Sequence, residues 1–304
     1  MRIRIATRNS ALAIWQAEEV SRLLQLQHPG LSAELIKMTT TGDRLLHKSL
    51  ATQGGKGLFV KELENGLLER QADIAVHSMK DVPVELPPAL HLPVILKRDN
   101  PYDALVSRQY AALEALPAGA IIGTSSMRRA CQVKATFPKL EIKLLRGNVS
   151  TRLAKLDRGD YDAILLAVAG LKRLGLMQRI RACMTADQMV PAIGQGAIGI
   201  ECRRDDAQIE SLIHPLNHME TQTCVLAERA VSQTLLGGCQ LPIAGFAELD
   251  HERLRLRALV GDPEGRHICR SERTGHSKEP VQLGQQVAAD LRLQGADKIL
   301  AGLS

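Results

Sequence analysis

Two stretches of the chain read in the same order, and that repeat limits the possible folds more than any other feature. Residues 2–6 alternate like a strand, Ala13, Ala17, Val20 and Leu24 follow at helical spacing, His28-Pro29-Gly30 stops the helix, and 35–38 read as a strand. The order returns later: 120–122 as strand, Gly123-Thr124-Ser125-Ser126 as turn, 128–135 as helix, Phe137-Pro138 as break, 141–145 as strand. A second element repeats as well. Phe59, Leu63 and Leu67 mark a helix leading into a strand at 73–76, and Val149, Leu153 and Leu156 mark one leading into a strand at 162–167. Each half is therefore β-α-β-α-β. The expected fold is α/β, two lobes with mixed, mostly parallel sheets, and a ligand cleft outside the strand carboxyl ends between the lobes.

Residues 197–202 are strand-like, follow the second lobe directly and are expected to return to the first sheet. After about residue 219 the pattern changes. A helix over 225–235 precedes strands at 246–248, 253–260 and 267–271, and a helix over 281–293 ends the series. This predicts a small α+β domain with an antiparallel sheet. The expected boundaries are 1–98 with 195–216 for the first lobe, 99–194 for the second and 217–304 for the third domain.

Lysine plus arginine number 39 against 33 aspartate plus glutamate, a formal charge of +6 that favours an anionic partner. Aromatic residues make up 2%, which leaves little on which to stack bases, so no nucleic-acid partner is expected. No segment approaches bilayer length and the first residues carry no apolar run, so the expected location is the cytoplasm, away from membranes. The six cysteines lie far apart without a Cys-x-x-Cys pair, which argues against disulfides and against a metal site. Those at 131, 183, 202, 224 and 269 fall in helix or strand patterns and read as small buried residues.

Several motifs carry chemistry. Gly194-Gln195-Gly196-Ala197-Ile198-Gly199 matches a dinucleotide fingerprint in form, but it continues as a strand where a helix must open, so it reads as a tight connection. Gly54-Gly55-Lys56-Gly57 lacks the Ser or Thr of a phosphate loop and reads as a polar loop from which Lys56 could reach an anion. Thr124, Ser126, Arg128 and Arg129 combine hydroxyls and forked donors at a strand-to-helix turn, which suits an anion at a helix N-terminus. Arg8 and Ser10 form a weaker twin, and Arg146, Arg152 and Arg173 fall near other strand ends or helix starts. Each arginine alone could be a solvated surface charge; together they suit a ligand with many carboxylates. Lys80 and Asp81 follow the strand at 73–76, where Asp81 could act as an acid or stabilise a cation, or else the pair caps a turn stiffened by Pro83. Cys239 lies after Gly237-Gly238 and before Pro242, where a thiol could be accessible for attachment, or be one more small buried residue.

These segments resemble the porphobilinogen deaminase family. The matching motifs are Thr-Arg-Asn-Ser-Ala-Leu-Ala from Thr7, Gly-Gly-Lys-Gly-Leu-Phe-Val-Lys-Glu-Leu-Glu from Gly54, His-Ser-Met-Lys-Asp-Val-Pro from His77 and Gly-Thr-Ser-Ser-Met-Arg-Arg from Gly123. In the same order follow Leu-Arg-Gly-Asn-Val-Ser-Thr-Arg from Leu145, Gly-Gln-Gly-Ala-Ile-Gly-Ile-Glu from Gly194 and Gly-Gly-Cys-Gln-Leu-Pro-Ile-Ala from Gly237. Leu241 and Ala244 depart from the family pattern, where a β-branched residue and a glycine are expected.

The resemblance implies a monomeric three-domain transferase whose first two lobes are folded like class II periplasmic binding proteins. It implies a dipyrromethane cofactor joined by a thioether to Cys239, with four porphobilinogens added to it before hydroxymethylbilane is hydrolysed off. Porphobilinogen loses ammonia to give an electrophilic azafulvene, and Asp81 is implied to assist that departure and to stabilise positive charge on the pyrrole nitrogens. Each ring brings one acetate and one propionate. The implied partners of these carboxylates are Arg8, Ser10, Lys56, Lys80, Thr124, Ser126, Arg128, Arg129, Arg146, Arg152, Arg173 and Gln195. The alternative from another class is a non-enzymatic two-lobed anion-binding protein.

Overall fold

The computed structural model describes residues 2–40, 60–235 and 241–303. In chain order the strands are β1 (Arg2–Arg8), β2 (Ser32–Met38), β3 (Ile74–Ser78), β4 (Leu90–Ile95), β5 (Asp103–Ser107), β6 (Ile121–Gly123) and β7 (Glu141–Lys143). They continue as β8 (Ala163–Ala167), β9 (Ala182–Met184), β10 (Ile198–Arg203), β11 (Ile243–Asp250), β12 (Arg253–Gly261) and β13 (Ile268–His276). The chain divides into two compact units, Met1–Asp99 with Ala197–Gln222, and Asn100–Gly196 with Thr223–Ser304.

The first unit is built on a sheet of order β2-β1-β3-β10-β4. β1 runs parallel to β2 and β3, whereas β10 runs antiparallel to both β3 and β4, so the segment read as a returning strand does enter this sheet. Alternation along β1 sends Ile3 and Ile5 to one face, where they meet Ala17, Val20 and Leu24 of helix Ala11–Gln27. Ala6 faces the other way, toward Leu63 and Leu67 of helix Lys61–Leu68. Both faces of β3 are covered in the same way, which is why Ile74-Ala75-Val76 reads as a continuous apolar run.

The second unit holds two sheets. One has the order β7-β6-β8-β5-β9, with β6 parallel to β7 and β8, and β5 antiparallel to β8 and β9. Each five-stranded sheet is thus mixed, with parallel and antiparallel pairings in equal number. The other is the antiparallel sheet β11-β12-β13, whose apolar side packs against helices Met219–Thr234 and Pro280–Leu293. Those helices approach closely at Gly284, where an added Cβ would sit 2.4 Å from the carbonyl oxygen of Ala227. No helix among the described residues is long and apolar enough to cross a membrane.

Candidate functional site

In the first unit, the carboxyl ends of β1 and β3 frame an open depression lined by Arg8, Ser10, Gln16, His77, Ser78 and Asp81, together with Leu12, Ala13, Val60 and Val76. Ser10 is the N-cap of helix Ala11–Gln27, its hydroxyl accepting from the Ala13 amide at 3.3 Å. Gln16 Nε2 donates to Ser78 Oγ at 2.8 Å, tying that helix to the end of β3. Asp81 closes a short 3₁₀ turn, Met79–Asp81, which begins where β3 stops. The turn is anchored twice. The Met79 amide donates to the Ala197 carbonyl at 3.0 Å, and the Met79 side chain, 2% exposed, fills the space over Gly199, where an added Cβ would lie 2.3 Å from its sulfur. Lys80 is half-buried in the same turn but is not among the lining residues.

In the second unit, Arg128 and Arg129 open helix Met127–Thr136, with Ser126 as its N-cap and Thr124 Oγ1 accepting from the Ser126 amide. The two arginines are 4% and 6% exposed and converge on Asp103, the fully buried first residue of β5. Arg128 Nη1 and Nη2 donate to the two Asp103 oxygens at 2.8 and 3.1 Å, and Arg129 Nε donates to Oδ1 at 2.9 Å. Arg128 also reaches the Val190 carbonyl and Arg129 the Leu165 carbonyl, while Gln195 Nε2 donates to Asp103 Oδ1 at 3.1 Å and to the Pro101 carbonyl at 2.6 Å. Burial alone would raise the Asp103 pKa, but the charges and hydrogen bonds of Arg128 and Arg129 outweigh it and hold the carboxyl well below the usual carboxylate range.

Two guanidinium groups and one carboxylate leave this cluster with one positive charge in excess, and Arg128 Nε is buried without a hydrogen-bond partner among the described residues. A carboxylate-bearing ligand suits that donor set; a cation does not. Asp103→Ala would leave two adjacent buried guanidinium groups without their shared counter-ion. The expected loss is about 3–5 kcal/mol of stability, read from denaturant midpoints. Because the folded pKa is depressed, this contribution is complete above the unfolded carboxyl pKa of about 4 and is lost progressively as pH falls from there through the folded value, so the deficit persists at neutral pH.

The turn that carries Gln195 is itself fixed. Gly194 and Gly196 have φ of +69° and +87°, and Glu228, fully buried in helix Met219–Thr234, accepts from the Gly194 amide at 2.7 Å and the Ala247 amide at 2.8 Å. Arg173 Nη2 donates to the Gly196 carbonyl at 2.6 Å. Arg146 and Arg152 flank the start of helix Val149–Asp157, where Asn148 is the N-cap and Arg152 Nε donates to the Gly147 carbonyl at 2.7 Å. Lys56 and Cys239 lie outside the described residues. Among the other cysteines, 131, 202, 224 and 269 are buried, but Cys183 is exposed, because it lies on the edge strand β9 rather than inside the sheet.

Of the residues expected from the sequence, Arg8, Ser10 and Asp81 line the depression in the first unit, and Arg128, Arg129 and Gln195 meet at Asp103 in the second; Gln16, His77 and Ser78 of the depression, and the acids Asp103, Glu228 and Glu201, which pairs with His77, were not among them.

Solved structures similar to the chain include the methionine binding protein MetQ, at 12% identity and a TM-score of 0.47, covering 71% of this chain and 89% of that one. The periplasmic aliphatic sulphonate binding protein SsuA from Escherichia coli matches at 13% identity and a TM-score of 0.42, over 77% of this chain and 70% of that one. A nutrient binding protein from Burkholderia cenocepacia bound to methionine matches at 14% identity and a TM-score of 0.43, over 69% and 90%. Among family models, the one described as porphobilinogen deaminase, dipyromethane cofactor binding domain, matches residues 3–211, and the porphobilinogen deaminase C-terminal domain matches residues 222–292. With both models matched in order along the sequence, the chain belongs to the porphobilinogen deaminase family.

Proposed function

We propose that the chain joins four porphobilinogens head to tail on a dipyrromethane held by the Cys239 thiol and releases hydroxymethylbilane by hydrolysis. The observation that carries this reading is the placement of Asp81 in one depression with Arg8 and Ser10. The bound dipyrromethane would supply the nucleophilic pyrrole carbon. Asp81 faces the positive charge that develops as the substrate amine leaves, and a carboxylate held on an anchored turn opposes that charge with little reorganisation. Arg8 and Ser10 bind substrate carboxylates beside it, and hold the reacting carbon near Asp81.

The cluster of Arg128, Arg129 and Gln195 takes a further carboxylate through its excess positive charge, and Lys80, Thr124, Ser126, Arg146, Arg152, Arg173 and Lys56 serve the remaining ones. Removing one such charge-assisted contact costs about 1.5–3 kcal/mol of binding.

Intact-mass spectrometry of protein purified from cells that make porphobilinogen, followed by peptide mapping, tests the reading. The expected result is a dipyrrole mass on the Cys239 peptide. A folded protein that stays unmodified and gains no turnover on incubation with porphobilinogen or hydroxymethylbilane overturns it and leaves an anion-binding protein.

A further inference from the structure

Three of the matched motifs contain a residue that the proposed reaction leaves without a role: Glu64, His77 and Glu201. The fold brings them together behind the Asp81 depression. His77, 5% exposed, lines the depression from β3, and its Nε2 lies 2.8 Å from Glu201 Oε2. Glu201 belongs to β10, directly beside β3 in the sheet, and is fully buried. Glu64 comes from helix Lys61–Leu68, which packs on both strands, and is 8% exposed.

The proton inventory of this cluster does not close if both acids are ionised. Glu64 Oε1 and Glu201 Oε1 are each buried without a hydrogen-bond partner among the described residues, and two such carboxylates repel one another in a medium that solvates neither. Glu201 keeps a hydrogen bond to His77, so Glu64 is the one that holds a proton most readily. Burial, together with the charge of Glu201, pushes its pKa up to about 7 against the opposing pull of His77 and Lys61. On the other side of His77 the charged groups among the described residues are Arg8 and Asp81, which share the depression with it.

We propose that Glu64, Glu201 and His77 form one proton-sharing unit in which Glu64, acting through Glu201, sets the charge of His77 and so the strength with which the depression holds a ligand carboxylate. An ionised Glu64 favours the imidazolium and places a positive charge at the wall beside Arg8; a protonated Glu64 withdraws that support. His77 and the two acids are positioning residues, distinct from Asp81. The ligand's identity rests on the proposed function, but the coupling itself does not.

The test is a side-chain NMR titration of the nine histidines of the full chain without substrate, from about pH 5 to 9, with His77 identified by its absence in His77→Asn. In Glu64→Gln the His77 midpoint is expected to fall by at least about half a pH unit, because the negative charge that favours the imidazolium never forms. Glu64→Asp, which keeps an ionisable group, is expected to restore part of the difference, and serves as the reference if Glu64→Gln folds poorly. In turnover of porphobilinogen, Glu64→Gln raises KM more than it lowers kcat and removes one ionisation near neutrality from the pH profile of kcat/KM. A His77 midpoint that is the same in wild type, Glu64→Gln and Glu64→Asp overturns the coupling even if turnover is normal. A shifted midpoint in a chain that turns over no porphobilinogen upholds the coupling and overturns the proposed function instead.

Discussion

Cys239→Ser is expected to give a folded protein that carries no thioether-linked mass and has lost turnover completely. A thioether needs a sulfur nucleophile. A thiol ionises near pH 8.5 in water, so a useful fraction is thiolate at neutral pH, whereas a serine hydroxyl supplies essentially no alkoxide. The other thiols are poor substitutes. Burial pushes Cys131 up to about 11 and Cys202, beside Glu210 and Asp206, up to about 12, while Cys224 and Cys269 are buried as well. Cys183 is the exposed thiol among the described residues and therefore the control. Cys183→Ser should leave both the added mass and turnover unchanged. Intact-mass spectrometry of the two variants decides the matter: a dipyrrole retained on Cys239→Ser, or lost from Cys183→Ser, would remove Cys239 from its assigned role.

The repeat was legible because it rests on period alone. Ala17, Val20 and Leu24 on one helix, and Ile3 and Ile5 on one strand, are placed by patterns of 3.6 and 2 that need no knowledge of the tertiary structure. What stayed hidden were the strands outside the repeated order: β4, β5 and β9. β5 is only Asp-Ala-Leu-Val-Ser and β9 only Ala-Cys-Met, yet β5, running against β8 and β9 on either side of it, is what makes the second five-stranded sheet mixed. Nothing in β5 distinguishes its first residue from a turn aspartate.

The candidate site shows the same division. Arg8, Asp81, Arg128 and Arg129 could be named because forked cations and carboxylates at strand ends belong to a recognisable pattern. Their counter-ions could not, since a buried partner can come from any distance along the chain: Asp103 lies 25 residues before Arg128, and Glu201 lies 124 after His77. Glu228 left one faint trace. It stands in the stripe formed by Cys224, Ala227 and Val231, where a carboxylate must be buried with its helix face and must find donors there, and it finds the Gly194 and Ala247 amides.

Asp81→Ala is expected to keep the fold and to lower turnover by about 10²–10⁴, the span of a missing acid-base group or a missing electrostatic stabiliser. The fold should survive because the turn is held by its backbone and by Met79, not by the Asp81 side chain: the Met79 amide reaches the Ala197 carbonyl, and the Met79 side chain is seated over Gly199. Asp81→Asn keeps the size and removes the charge, so it separates packing from electrostatics and should be nearly as slow. Asp81→Glu keeps the charge but displaces it by one methylene, and should recover part of the rate. Gly199→Ala offers a complementary test, since the new methyl group intrudes on Met79 and tilts the turn without touching the carboxylate. Its expected signature is a lower kcat with a small change in melting temperature. Measured after loading each variant with hydroxymethylbilane, so that attachment at Cys239 is not limiting, turnover in the order wild type, Asp81→Glu, Asp81→Asn identifies the charge as the working feature. Equal rates for wild type and Asp81→Asn would instead assign the chemistry to another group and reduce Asp81 to a turn residue.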